Sequence, residues 1–505
     1  MKRIFLTILF LIDINYLFAQ NFKEFNVGFI SIFKNKTELN SYYFGGNPAL
    51  LDFLEEDEVL SFQNNIQIRE GKFKRFIQPK SEGLYQLFVS GKKSIDDNQK
   101  FRGSFGFQRE QRNNWDWFFT RDYHTMNPFL IGDSTSGDSR INGISMNAGY
   151  SIKFLDQFSA GISIDYQVDE MLKEVSPKPT SVHRDINTRV GFSYAFNNLL
   201  NIGVVADVYD KNERIAYRED EGSITKETII LKFKGYDYPN IFRKKTETRY
   251  SYINGYNVGL TTSYKINEEI ISMGYFLIGF DKTNIKDDET TPMAEGFWKN
   301  NHANLGFRIA YQNHDNLNTG LIYIYRNEDG WGQYSPYNVL YYERIYNSHS
   351  VVLGIDYPLV KNITGGIEGG IELTSIKEND HYSDVYLDAE ARTLFGKLGI
   401  LINWSHHFST LISYGYSNNS VPNYNYFAKG NSYYYTAFRY YDLLYFLTGS
   451  FKQDFSISSY VNAGTWGNFL IHLGYSLQKP FVNSVFGDEI KTWVNSTVEY
   501  RAKIF

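Results

Sequence analysis

Between Ile144 and Val168 apolar and polar residues alternate with a period of two. Ile144, Met146, Ala148, Tyr150, Ile152 and Phe154 fall on one face, with Ser145, Asn147, Gly149, Ser151 and Lys153 between them. Past Asp156-Gln157 the pattern resumes in Phe158, Ala160, Ile162, Ile164, Tyr166 and Val168. A helix buries positions three and four apart, so this spacing demands extended chain. Two strands of about ten residues joined by a tight turn make a hairpin tall enough to cross a bilayer when tilted. The unit recurs to the C-terminus. The expected fold is therefore all-β: a transmembrane, antiparallel, up-and-down β-barrel of about 16–18 strands.

Composition supports that reading. The 505 residues include 41 Tyr, 40 Phe and 40 Gly but only 11 Pro, and aromatics make up 17%. Aromatic girdles at both membrane interfaces consume such residues. Mean hydropathy is -0.39. Beyond the N-terminus no apolar run approaches the ~18 residues a spanning helix needs. Cysteine is absent, which excludes disulfides, thiolate metal sites, thiol catalysis and lipid acylation. A net charge of -5 and a pI near 6.0 exclude the basic face that nucleic acid requires.

Residues 1–20 read as a secretory signal: Lys2-Arg3, an apolar core from Ile4 to Ile12, and Leu17-Phe18-Ala19 before Gln20. Export combined with strands implies the outer membrane. Residues 21–58 form a less regular N-terminal segment, either periplasmic or a plug in the lumen, and residues 59–505 the barrel. The segment holds Asn47-Pro48-Ala49. It resembles one near the N-terminus of the fatty-acid-transporter-like outer-membrane barrels, and the resemblance implies a plug. A Pro-initiated turn into a short helix fits the same residues. With its Ala-Gln signal end and Tyr/Phe-rich strands, the whole chain resembles uncharacterised outer-membrane barrels of Bacteroidota. That resemblance implies an outer-membrane location and no particular activity.

Short connections are expected at 156–157, 197–198, 265–268, 313–316, 361–362, 405–407 and 452–454. Long ones are expected at 111–140, 169–185, 211–247, 282–300, 327–348 and 417–432. Short periplasmic turns and long external loops are the rule for such barrels. An even strand count then requires Phe455 to Leu477 to be one long, kinked strand. In the last strand Glu499, Arg501 and Lys503 oppose the apolar face, so that side is expected to be lumenal or near the rim.

Catalytic patterns are missing. Gly143-Ile144-Ser145-Met146-Asn147 and Gly161-Ile162-Ser163-Ile164-Asp165 lack the second glycine of a nucleophile elbow. No sequence pattern calls for a metal or cofactor. The adjacent His406-His407 would face opposite sides of a strand, while His124, His183, His302 and His472 remain candidate bases. Two constellations carry the expectations. Asp356, Glu368, Glu372, Asp384, Asp388 and Glu390 lie opposite the apolar face on three successive strands and are expected to form an acidic wall of the lumen. It reads either as a cation-favouring stripe or as an ordinary hydrated interior. Trp115 and Trp117 in one segment, and Trp331, Tyr334 and Tyr337 in another, are expected in external aromatic loops, reading as a binding surface or as the upper girdle.

The expected partners are outer-membrane lipid around the wall, a small solute or hydrophobic ligand within, and a protein partner at the external loops. The leading functional expectation is a porin-like channel or transporter for a small solute. The alternatives are a non-conducting receptor or partner in a secretion or adhesion assembly, and a barrel hydrolase.

Overall fold

The computed structural model describes residues 44–53 and 59–503, apart from 123–126, 156, 176, 197–198, 219–227, 236–238, 245, 268, 314–316, 430–435, 437–439, 465–466 and 482–484. The signal, most of the N-terminal segment, His124 and the turn positions 156 and 197–198 therefore lie outside the described residues.

Among the described residues twenty strands follow one another: β1 (Val59–Gly71), β2 (Ser81–Asp96), β3 (Gln99–Phe118), β4 (Ile131–Leu155), β5 (Phe158–Lys173), β6 (Thr180–Ala195), β7 (Leu200–Arg218), β8 (Thr228–Lys232), β9 (Asn240–Lys244) and β10 (Thr246–Lys265) in the first half. The second half holds β11 (Ile270–Asp287), β12 (Met293–Gln312), β13 (Asn318–Tyr334), β14 (Val339–Val360), β15 (Ile363–Asp380), β16 (Val385–Ser405), β17 (Phe408–Ala428), β18 (Ser450–Asn462), β19 (Asn468–Pro480) and β20 (Lys491–Lys503). A short helix, α1 (Tyr441–Leu447), precedes β18.

All except β8 and β9 form a closed antiparallel wall of 18 strands. Closure is made by β1 on β20, paired from Val59 opposite Lys503 to Gly71 opposite Lys491. Each of the 18 wall strands is thus paired with a neighbour on both sides through the apolar band, as the hydrocarbon interior demands.

The period-two pattern becomes two surfaces. Phe192, Val208 and Leu353 are 60%, 64% and 57% exposed on the outside, whereas their neighbours Ser193, Asp207 and Val352 are buried inside. An apolar outer surface of this extent would be strongly unfavourable in water at roughly 25 cal/mol per Å²; against acyl chains it is the stable arrangement. Near the short turns Phe154, Phe158, Tyr194 and Phe196 make a run of ring contacts with centroids 4.6–5.9 Å apart. Tyr256 and Phe280 meet at 6.2 Å at the opposite boundary of the band.

The structure corrects two features of the expected chain path. The long external segments are mostly strand, so the wall continues above the apolar band, and only residues 335–338 connect β13 to β14. The stretch from Phe455 to Leu477 is two strands, because Gly464 and Gly467 adopt φ of 65° and 95° and end the pairing. Conversely, residues 452–454 lie inside β18 rather than in a turn. The two differences cancel, which preserves the even count.

Candidate functional site

Near both ends, chain packs against the inside of the wall. At the end with the short turns, residues 44–53 lie against the inner face of β5, β6, β7 and β10. Pro48 opens a 3-10 turn through Phe53, and Ala49, Leu50 and Leu51 are buried. The backbone comes this close because inward-facing positions of three adjacent strands are glycine. A Cβ at Gly161 would overlap the Pro48 backbone; at Gly191 and Gly203 it would overlap the Asn47 amide oxygen and nitrogen.

Asn47 is fully buried. Its Nδ2 is shared among the carbonyls of Phe192 (3.2 Å) and Val204 (3.3 Å) and the Thr261 hydroxyl (3.1 Å). Its Oδ1 accepts from the Ala49 amide at 3.0 Å, the local turn that places Pro48 at the helical start. Arg189 adds a second tie: Nη1 donates to the Gly46 carbonyl at 3.1 Å while Nη2 pairs with Asp207 at 3.1 Å. Beside this seat Gly45, Arg189, Val205, Asp207, Asn257 and Leu277 line a small cavity.

The other mouth is spanned by inward-folded connections. The β8–β9 hairpin pairs with the first residues of β4, Ile131 to Asp133. Just beyond β8, Gly235 lies against the Asp380 carboxylate at the end of β15. β4 and β15 are the fourth and thirteenth strands of the wall, half a circumference apart, so the first residues of β4, β8 and residues 233–235 together bridge the mouth. Beneath it Trp115, Phe118, Phe119, Ile131, Ile141, Met171, Ile215, Tyr217, Ile230, Leu231 and Phe233 form an apolar core inside the barrel, which Ile77 joins from the β1–β2 connection. Trp115 Nε1 donates to the Ile77 carbonyl at 2.8 Å. The β17–β18 connection is tied in by Asp442 on α1, which accepts from Arg75 at 2.7 Å and from the Phe76 amide at 2.7 Å.

Charges brace this cap. Arg121 lies 3.1 Å from Asp169 and 3.3 Å from Glu110, and Arg112 lies 2.6 Å from Glu110. His183 Nδ1 is 3.4 Å from Asp169, and Gln108 donates to Asp169 at 2.5 Å. Burial opposes ionisation of Asp169, yet His183, Arg121, Gln108 and Gln167 together hold its carboxyl well below the ordinary value. Lys173 meets both Asp133 oxygens at 2.8 and 2.9 Å in a fully buried pair. Arg249 and Lys232 converge on Asp287 at 2.8 Å each. They hold its carboxyl at about 2 against the opposing effect of burial.

The six acidic residues expected along one wall divide in two. Asp356, Glu368 and Glu372 face inward on β14 and β15; Asp356 and Glu368 are buried, and Glu372 accepts from the Ser348 hydroxyl at 2.8 Å. Glu368 stands directly across from Lys397. Asp384, Asp388 and Glu390 do not join them. They lie on the outer side of the rim, where Asp384 pairs with Lys429 at 2.9 Å, Asp388 with Lys377 at 3.1 Å, and Glu390 accepts from Asn423 at 2.9 Å. The cause is the apolar packing of Leu387 and Ala389 against Leu443 of α1, which turns this part of β16 with its apolar face inward.

The aromatic candidates separate as well. Trp115 is not in a loop: it is buried in the cap core, with Trp117 packed against that core. Trp331 and Tyr334 belong to β13, and Trp331 meets Phe297 edge-on at 5.3 Å. Only Tyr337 sits in a connection, 76% exposed. On β20, Arg501 pairs with Glu499 at 2.6 Å and Glu499 is buried, consistent with a lumenal face. Among the candidate bases, His302 contacts Asn257 and lies 3.7 Å from Asp281, and His472 meets the Ser458 hydroxyl at 2.7 Å. Sequence reasoning missed Asn47 as an anchor and the Arg121, Glu110 and Asp169 network. Glycines recurring on the inward parity at 161, 191 and 203 were the available signal for the first.

A closed antiparallel wall with an apolar outer band and girdled rims defines an outer-membrane β-barrel protein. Residues 48–500 match the model of a family of unknown function, DUF6850, and the chain belongs to that family. No curated protein is similar to it in sequence. Solved structures with a similar fold include the ferric yersiniabactin uptake receptor of Yersinia pestis, at 8% identity over 88% of this chain and 80% of that one with a TM-score of 0.47. A monoaromatic hydrocarbon channel, TodX in a deletion mutant, matches at 10% over 91% and 93% with a TM-score of 0.35. A FadL homologue of Pseudomonas aeruginosa matches at 9% over 90% and 92% with a TM-score of 0.33.

Proposed function

We propose that the chain is an outer-membrane transporter for a small solute whose passage is shut at rest, with the N-terminal segment as a plug at the periplasmic end. The observation that carries this is the seat of Asn47 and Pro48 on three inward glycines. Glycine in a strand interior weakens the strand and gives up side-chain packing, so glycine at facing positions on adjacent strands is explained by a chain that must lie there. The cap across the outer mouth makes the passage gated rather than porin-like.

Gly191→Val in the refolded protein tests the reading by planar-bilayer conductance. Valine suits a strand, so the wall keeps its stability while the seat is lost. Wild type is expected to pass little current and the variant more. A folded Gly191→Val barrel that passes no more current than wild type, even when Asp169→Asn has loosened the cap across the outer mouth, removes the transporter reading and leaves the non-conducting receptor, whose support is the same cap.

A further inference from the structure

On the outer side of the wall, Lys282 of β11 and Lys299 of β12 stand directly opposite each other. Both ammonium groups lie over one ring, that of Phe297, at 4.8 and 5.3 Å. Lys299 is also 4.7 Å from Trp331, and Lys286 stands 5.8 Å from the Tyr252 ring close by. Like charges directly across a strand pair are destabilising. The rings offset part of that cost, but no carboxylate does. Among the described residues neither lysine makes an ion pair. Of the nearby outward acids, Asp210 is engaged by Arg184 at 3.0 Å and Asn254 at 2.7 Å and Glu343 by His381 at 2.8 Å, while Asp329, exposed and diagonal to Lys299 across β12 and β13, makes no ion pair with either lysine. Asp281 and Asp287 project inward by strand alternation.

Height decides what the missing partner is. Lys282 is one outward position above Phe280, whose contact with Tyr256 marks the top of the girdle. Below it Ile278, Val258 and Leu260 are 50%, 45% and 54% exposed to the acyl region. The lysines therefore sit at headgroup level, on the lipid side, above an apolar track. We infer that Lys282 and Lys299, flanked by Phe297 and Trp331, bind the phosphate of a phosphorylated, acylated glycolipid of the outer leaflet. One phosphate between the two ammonium groups would satisfy both and turn their repulsion into a shared charge-assisted contact, while the apolar track takes the acyl chains.

The test uses the full chain in detergent, with binding followed by native mass spectrometry and by thermal midpoint. The probes are bis-phosphorylated lipid A, the same lipid stripped of phosphate, and inorganic phosphate. Each interfacial lysine contributes about fivefold, so Lys282→Gln with Lys299→Gln is expected to bind phosphorylated lipid A roughly thirtyfold more weakly. Without lipid, that variant should melt no lower than wild type, because the repulsion is gone. Lys282→Arg with Lys299→Arg should retain binding, which keeps the test decisive if the neutral pair folds poorly. Equal binding of the stripped lipid, or undiminished binding by the neutral pair, would overturn the inference. So would inorganic phosphate alone reproducing the full rise in midpoint, since the acyl chains would then be irrelevant.

Discussion

Asn47 donates to the Thr261 hydroxyl across 3.1 Å, joining the N-terminal segment to a strand 214 residues further along the chain. The bond is one of three from a single amide nitrogen, and the other two end on backbone carbonyls of β6 and β7. Only a side chain with both a donor and an acceptor serves this position, since Oδ1 must also accept from Ala49. Asn47→Asp keeps the acceptor and replaces the donor by an oxygen facing two carbonyls. It is expected to expel the segment, whereas Asn47→Ala costs about 1–3 kcal/mol in lost buried hydrogen bonds. Limited proteolysis within residues 44–53 of the refolded protein reads the difference: fast cleavage in Asn47→Asp, intermediate in Asn47→Ala, slow in wild type.

The cap makes an opposite kind of prediction, that it stays shut in mild acid. Asp169 and Asp287 ionise below the ordinary carboxylate value of 3.8. Their contribution to folding is thus present above that value and is lost only as pH falls through the lower folded values. Hydrogen exchange of residues 119–122 is expected to be unchanged between pH 7 and pH 5. Asp169→Asn, which leaves buried Arg121 without one of its partners, is expected to raise that exchange at every pH and to cost about 3–5 kcal/mol. Protection that vanishes already at pH 5 would contradict the arrangement.

How far the sequence carried this structure depends on what lay outside each strand. Period two was legible wherever one face met lipid, as at Ile144 to Phe154, because polarity there has one meaning. Above the band it has the reverse meaning: the outside is water and the inside is the cap core. On β16 Leu394, Leu398 and Ile400 are therefore apolar and outward, while Val385, Leu387 and Ala389 are apolar and inward. Asp384, Asp388 and Glu390 were assigned to the lumen by carrying the lower rule upward. Trp115 was hidden differently: a bulge between Arg112 and Trp115 shifts the strand phase, so the two share the inner face and the guanidinium lies 4.7 Å from the indole. The turn at Gly464 and Gly467 was visible as a glycine pair but was overruled by the even count, because residues 452–454, which lie inside β18, read as a turn. The Asn47 seat was partly visible, since the segment was singled out, but its partners are separated from it by 145–214 residues and no local pattern connects them.

Lys491 at the outer end of β20 is buried and donates to the Gln78 side chain at 3.1 Å. Burial, with Arg69 and other cations nearby, pushes its ammonium down to about 7. A lysine lowered on folding is penalised in full below that value, and the penalty fades as pH rises from about 7 toward the unfolded 10.5. The protein is therefore expected to be more heat-stable at pH 9 than at pH 6 through this group. Lys491→Met is expected to raise the thermal midpoint at pH 6 and to shrink the difference between the two pH values. An unchanged difference would show that another group governs it.

The inward acids supply the remaining test, which needs the passage opened first. Glu372 accepts from Ser348, whereas Glu368 is buried opposite Lys397. The more accessible Glu372 should therefore weigh more on passing ions than Glu368, which is buried in the wall. In a background carrying both Gly191→Val and Asp169→Asn, reversal potentials in a salt gradient are expected to show cation preference. Glu372→Gln should move the potential toward zero by more than Glu368→Gln does. If both substitutions leave it unmoved, ions do not pass along β14 and β15, and the acidic residues there serve the wall's own packing and hydration.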